Sequence, residues 1–227
     1  MHLSKLTLDP RHAQAQMDLG VPYELHRTLG RAFPDAEADS HRARHGVLFR
    51  IEEAMPAGVP VLVQSATRPD WGLLPTGYAR RVDGPKAVDP ALAAGQRLRF
   101  RLVANPVRRT HSEGKKNPTR LALVHPRGMP EGQDGPADGY LDWLGRQGAR
   151  HGFAVVDVAD VPFRLAPRRP LGAALGKGAV PHFGVRFDGV LTVTDAEALA
   201  EALRSGIGSA RAFGFGLLSL APDRESG

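Results

Sequence analysis

The sequence predicts an α+β protein in which a strand–helix–strand–strand–helix–strand unit occurs twice. Three observations carry that expectation. Residues 97–104, RLRFRLVA, alternate charged and apolar side chains, the period of a half-buried strand. The stretches PYELHRTLG and TDAEALAEALRS space their apolar residues as helices do. Between the two sets of elements lies 84–95, where Pro85, Pro90 and two glycines read as a linker. The expected domains are therefore 1–90 and 91–227.

The first unit opens with a strand, Leu3 to Leu8, ended by Asp9-Pro10. A polar stretch to Gly20 follows, to which no element is assigned. Pro22 suits the first position of a helix and Pro34 its stop. On that helix Leu25, Leu29 and Ala32 share one side, while Tyr23, His26, Arg27, Gly30 and Arg31 share the other. The second face is either an ordinary solvated basic stripe or a cluster of a phenol, an imidazole and two guanidiniums with chemistry to do. Asp35 to Arg44 reads as a loop. His41 and His45 have the i, i+4 spacing of a helical metal pair, but the cationic SHRARH context supplies no third ligand, and no metal site is expected. Val47–Glu52 and Val59–Ala66 read as strands joined by the turn MPAG. Residues 70–79, with Trp71, Pro75 and Gly77, allow at best an abbreviated helix, and 80–88 is extended. This is a ferredoxin-like order.

The second unit begins with the 97–104 strand and its cationic outer face of Arg97, Arg99 and Arg101. Residues 106–135, rich in Arg, Lys, Gly and Pro, read as an irregular insertion. A helix over 137–148 is expected to turn Tyr140, Leu141 and Leu144 inward. Strands are expected over 153–161 and 183–193, separated by the acid-free basic segment 164–177. Thr194-Asp-Ala-Glu197 reads as a capping box, and Ala196, Leu199, Ala200 and Leu203 as the buried stripe of the helix it starts. The chain then runs GIGSARAFGFGLLSLAP, with Gly206, Gly208, Gly214 and Gly216 at the spacing G-x-G-x5-G-x-G. Such a loop can aim several N–H groups into one concavity that suits phosphate oxygens. Neither the Walker pattern nor the dinucleotide fingerprint is present. A helix C-cap followed by a closely packed closing strand is the competing account of the same glycines.

Composition narrows the partners. The net charge is +6 and arginine outnumbers lysine, which favours an anionic partner read through guanidinium forks. The absence of cysteine excludes disulfides and thiolate metal sites. No apolar run approaches a bilayer span, and MHLSKLTLDP is charged too early for a signal peptide, so cytoplasm is the expected location.

The strand followed by PYELHRTL, the RLRFRLVANP strand and the closing GIGSARAFGFGLLSLAP together resemble the CRISPR-associated repeat-RNA endoribonucleases of the type I-E Cascade system. The resemblance spans nearly the whole chain and is weakest over 35–44 and 110–136. It implies two tandem ferredoxin-like domains and a free monomer that binds a CRISPR repeat stem-loop. That monomer cuts at the 3′ base of the stem without metal or cofactor, and stays attached among the other Cascade subunits. It also implies that His26 and Tyr23 are the catalytic pair, with His26 as general acid or base. Arg27 and Arg31 would lie on the scissile phosphate or its neighbours. Gly206, Gly208, Ser209, Arg211 and Gly214 would hold RNA backbone, and Arg168 and Arg169 the stem. An inactive RNA-binding subunit of the same fold is the alternative, disfavoured by the presence of both Tyr23 and His26. A single-strand binder of the RRM type is weaker still, because its aromatic strand motif is missing.

Overall fold

A computed structural model describes residues 1–33, 45–110, 119–123, 139–165 and 182–223. The expected loop 35–44 with His41, the helix stop at Pro34, most of the 106–135 insertion, and Arg168 and Arg169 in the basic segment lie outside these residues.

The first unit contains β1 (His2–Leu8), α1 (Ala13–Gly20), α2 (Pro22–Gly30), β2 (Leu48–Ile51), β3 (Val59–Ser65) and β4 (Ala79–Ala87). Its sheet has the antiparallel order β2-β3-β1-β4. The second contains β5 (Arg97–Ala104), the hairpin β6 (Val107–Thr110) and β7 (Thr119–Ala122), α3 (Tyr140–Arg150), β8 (Phe153–Leu165), β9 (His182–Val193), α4 (Ala196–Ser205) and β10 (Leu218–Pro222). Its sheet order is β10-β5-β9-β8, the same topology once the hairpin is set aside. Each sheet buries one face on its own core: Leu6, Leu8, Leu25, Leu29, Phe49 and Val61 in the first, Phe100, Leu102, Leu144, Phe187, Leu191 and Leu199 in the second. The alternation in β5 is as the sequence predicts, with Leu98, Phe100, Leu102 and Ala104 buried.

Several expectations are corrected. The polar stretch before Gly20 is helical, because its polarity has a buried partner: Tyr78 Oη donates to Asp18 at 2.6 Å and Gln14 Nε2 donates to the other oxygen at 2.8 Å. The α-helix over PYELHRTLG ends at Gly30, and Arg31, Ala32 and Phe33 continue through i→i−3 bonds that tighten its last turn. The expected linker is shorter than 84–95, since β4 pairs with β1 through Ala87. Its Pro85 is tolerated because β4 is an edge strand. The insertion contains the β6–β7 hairpin rather than irregular chain alone. In α3, Trp143 and Leu144 fill the core and Leu141 is 48% exposed. The cap of α4 is Asp195, whose carboxylate accepts from the N–H groups of Glu197 and Ala198 at 3.0 Å, so a single capping carboxylate one residue beyond Thr194 replaces the expected Thr194–Glu197 box. In α4 the third fully buried position is Ala202, with Ala196 and Ala200 only partly covered. In the first unit the second helix shrinks to a single 3₁₀ turn, Trp71–Leu73.

Candidate functional site

The site forms where α2 meets the C-terminal glycine loop. Pro22 opens α2 at its first position, and Leu25 and Leu29 anchor the helix in the first core. Tyr23, Arg27 and Arg31, at i, i+4 and i+8, form its exposed ridge. Arg27 Nη1 lies 3.0 Å from Glu24 Oε2 across one turn. His26 and Gly30 do not share that ridge, contrary to the expected stripe. His26 is only 6% exposed, and its ring stacks on Phe49 with 6.2 Å between centroids and 18° between planes. The apolar surface of β2 draws the imidazole inward, where fewer waters compete for its protons.

The loop from Gly206 to Gly216 is shaped by backbone that side-chain-bearing residues rarely adopt. Gly206, Gly208, Gly214 and Gly216 all have positive φ, between +76° and +90°. Ile207 N–H donates to Gly216 O at 2.9 Å and closes the loop at its neck, while Gly216 N–H donates to Val103 O at 2.8 Å and ties it to β5. Between them Arg211–Phe213 make a 3₁₀ turn. Two of the glycines matter for contact as well as conformation. A Cβ on Gly206 would lie 2.9 Å from Leu48 Cδ2, and one on Gly214 would lie 3.1 Å from Phe49 Cε2. Phe49 therefore has the His26 imidazole and the Gly214 backbone as neighbours. Beside them the rings of Tyr23 and Phe213 lie 5.7 Å apart. The helix and the loop, at opposite ends of the chain, are one surface.

Salt bridges and hydrogen bonds between the units hold that surface in register. Arg50, on β2 beside Phe49, is buried; its Nη1 donates to Leu217 O at 3.2 Å and its Nη2 lies 2.7 Å from Glu52 Oε1. Burial opposes its charge and lowers its pKa, while Glu52 acts in the other direction. Gln64 on β3 donates to Leu203 O at the end of α4. Glu52 also reaches Arg101 at 3.2 Å, and Arg186 reaches Glu53 at 2.7 Å, so the cationic faces of β5 and β9 are partly neutralised by the first unit. Arg97 is paired with Asp223 at 3.2 Å.

The loop's donors divide into two groups. The N–H groups of Gly206, Ile207, Phe213, Gly214 and Gly216 are used inside the protein. Among the described residues, those of Gly208, Ser209 and Ala210 make no backbone hydrogen bond. The Ser209 hydroxyl lies 3.0 Å from Asn105 Oδ1 and docks the loop on the end of β5. Arg211 Nε donates back to Gly208 O at 3.2 Å, setting the guanidinium across the loop.

One imidazole has no signal in the sequence. His182, at the start of β9, packs its ring 4.2 Å from that of Phe213, and burial lowers its pKa. Nothing local marks it; the sheet register that delivers it to Phe213 is a long-range property. Conversely, His45 stacks on Phe33 at 5.0 Å and its Nδ1 lies 2.8 Å from Thr67 Oγ1, a packing role.

A sequence model of the family described as CRISPR associated protein matches residues 1–222. The chain belongs to that family. Among curated members it is 39% identical over 231 residues to CRISPR-associated endoribonuclease Cse3 of Thermus thermophilus, covering 98% of this chain and 100% of that protein. It is 33% identical over 208 residues to the CRISPR system Cascade subunit CasE of Escherichia coli, covering 88% and 92%. A solved structure of Cse3 bound to a 19 nt RNA superposes with a TM-score of 0.79 at 38% identity, over 98% of this chain and 100% of that one. For Cas6e from Escherichia coli the values are 0.67 and 30%, over 98% and 100%. The two four-stranded antiparallel sheets with their helices are the ferredoxin-like pair of this CRISPR-associated family.

Proposed function

We propose that this chain is a metal-independent endoribonuclease. It cuts CRISPR precursor RNA at the 3′ base of the repeat stem-loop and remains on the product hairpin as a subunit of a Cascade complex. Its place of action is the cytoplasm, where it meets the transcript as a monomer before assembly. The reading is supported by relatives named as an endoribonuclease and a Cascade subunit, and by one observation above the others. The Tyr23–His26 turn of α2 lies against the glycine loop, across the junction of two domains.

RNA carries its own nucleophile. The 2′-oxygen forms a bond to the adjacent phosphorus, the bond from phosphorus to the 5′-oxygen breaks, and the products are a 2′,3′-cyclic phosphate and a 5′-hydroxyl. One proton leaves the 2′-hydroxyl and one arrives on the 5′-oxygen, so the protein must align the linkage, move protons and steady added negative charge. His26 serves as the general acid or base, since an imidazole titrates near neutrality. Tyr23, one turn away and 38% exposed, orients the nucleotide or donates to it. Arg27 and Arg31 on the exposed ridge take phosphate oxygens, as do Arg211 and the N–H groups of Gly208 and Ser209, which make no backbone hydrogen bond. Gly206 and Gly214 contribute through the course of the loop, whose backbone they let pass close to Leu48 and Phe49. Arg168 and Arg169 hold the stem.

Incubation with the cognate repeat hairpin in EDTA tests this. Cleavage leaving cyclic-phosphate ends is expected, and it should stop when the nucleotide 5′ of the scissile phosphate is 2′-deoxy. Binding without cleavage in any buffer would instead identify a structural RNA-binding subunit. Turnover of the deoxy substrate would exclude the internal nucleophile.

A further inference from the structure

From α2 to the start of β9 the aromatic rings run in a row. The Tyr23 ring, 38% exposed, lies beside Phe213 of the glycine loop, with 34° between the planes. Phe213 in turn packs against His182 at 4.2 Å between centroids, and His182 meets Phe215 at 6.2 Å. Phe215 is buried and stacks on Phe163 of β8 with 18° between planes, both rings lying over Gly184, where a Cβ would stand 2.6 Å from each. The row is thus anchored in the second domain and reaches solvent at the candidate reacting groups. Backbone strain sits at its middle. Ala210 has φ +58°, and among the described residues it is the one non-glycine with positive φ. Its carbonyl accepts from Phe213 N–H at 2.9 Å, and Gly214, at φ +85°, ends the turn. Two left-handed residues therefore fix the direction of the half-buried Phe213. Burial holds the His182 imidazole below its ordinary pKa, so at neutral pH it packs against Phe213 as an uncharged ring.

We infer that Phe213, flanked by Tyr23 and braced by His182, is the stacking platform for the base of the unpaired nucleotide on the 3′ side of the cut. The inference rests on the ribonuclease reading and deepens it by assigning a base subsite beside the reacting groups. The nucleotide on the 5′ side of the cut ends the stem, so its base is paired. The base on the 3′ side has no partner and both its faces are free, the state in which aromatic side chains take RNA bases. Stacking there also serves the chemistry. Attack needs the 2′-oxygen, the phosphorus and the 5′-oxygen in line, and continued helical stacking across the linkage keeps them out of line. A base drawn onto Phe213 leaves that stack and swings its 5′-oxygen toward the in-line position. Tyr23, the ring neighbour of Phe213, is one turn from His26, so a base on this platform brings its phosphate to the candidate acid–base groups.

The test uses the full chain with Phe213→Leu, which stays apolar but loses the π-face, and Phe213→Trp, which keeps one. The substrate is the repeat hairpin with a single-stranded 3′ flank; in a second version the nucleotide 3′ of the cut is abasic. At saturating protein Phe213→Leu is expected to cut the intact RNA about 5- to 150-fold more slowly, the range for loss of one base–aromatic stack. Phe213→Trp should cut it within a few-fold of wild type. The abasic RNA should slow wild type by a like factor and bring wild type and Phe213→Leu to the same rate. The product hairpin, which ends at the stem and lacks that nucleotide, should bind all three proteins alike. Undiminished cutting of the intact RNA by Phe213→Leu, a deficit of that variant that persists in full on the abasic RNA, or an equal loss of affinity for the product hairpin overturns the inference. If wild type leaves the intact RNA uncut, the ribonuclease reading itself has failed, so the two failures are distinguishable. Melting curves identify a Phe213→Leu protein that does not fold, in which case wild type on the abasic RNA decides alone: unchanged cutting there overturns the inference.

Discussion

The two domains share one strand order and differ in what they do with it. The first carries Tyr23 and His26 on its α2 and keeps only a 3₁₀ turn where its second helix would be. The second has full helices in both places, and sets after the later one the glycine loop that crosses over to β2 and α2. On the proposed reading the acid–base groups come from one unit, while the shaped backbone comes from the other. Neither half contains the site. The duplicated topology supplies two scaffolds, and the contacts between them supply the function.

That division can be broken from either side, and the largest effect is expected from the first domain. His26→Ala should lower the cleavage rate by about 10²- to 10⁴-fold, the worth of one acid–base group, while hairpin affinity stays within a few-fold. Single-turnover rates and titrations on one RNA check this, and a parallel collapse of affinity would make His26 a binding residue. From the second domain, Gly206→Val places a branched side chain at φ +76° against Leu48. It should destabilise the protein by about 1–3 kcal/mol and slow cleavage although no reacting group has changed. Denaturant melts and rates on the still-folded fraction separate the two consequences; an unaltered rate in that fraction would mean the loop's seat on β2 is irrelevant to catalysis.

The junction itself is tested through Arg50. Arg50→Met removes the buried guanidinium that joins β2 to Leu217, leaving the carbonyl without that donor and Glu52 with one cation fewer. A loss of about 2 kcal/mol is expected, within the range for orphaning buried polar partners. Cleavage should fall further than in an equally destabilised variant confined to one core, such as Leu191→Ala, and equal falls would show that domain register does not matter.

The smallest effect sharpens the electrostatic side. Burial lowers the pKa of His182 and His151 below the ordinary value of 6.5, so the unfolded chain binds more protons than the folded one at acidic pH. Their stabilising contribution is complete above about pH 6.5 and is lost as pH falls through that value toward the folded pKa values. Melting temperature should therefore drop between about pH 7.5 and about pH 5.5, and less steeply in His182→Gln. An identical slope in that variant would show that His182 is not held neutral by its contact with Phe213.

The sequence by itself determined the strands of the two four-stranded sheets, the two amphipathic helices at α2 and α4, the doubled topology and the residues with chemical potential, because hydrophobic period is local, but it missed the β6–β7 hairpin. It also placed Tyr23 and Arg27 on one helix face. It put His26 on that face too, although Phe49 draws the imidazole inward, and it missed α1, whose polar Asp18 is satisfied by Tyr78 from far along the chain. Only the tertiary structure decided that Gly214 lies on the ring that stacks on His26, and that His182 meets Phe213. These are meetings between segments more than a hundred residues apart or on separate elements. Such meetings depend on sheet register and domain packing, for which no short window of sequence carries a signal.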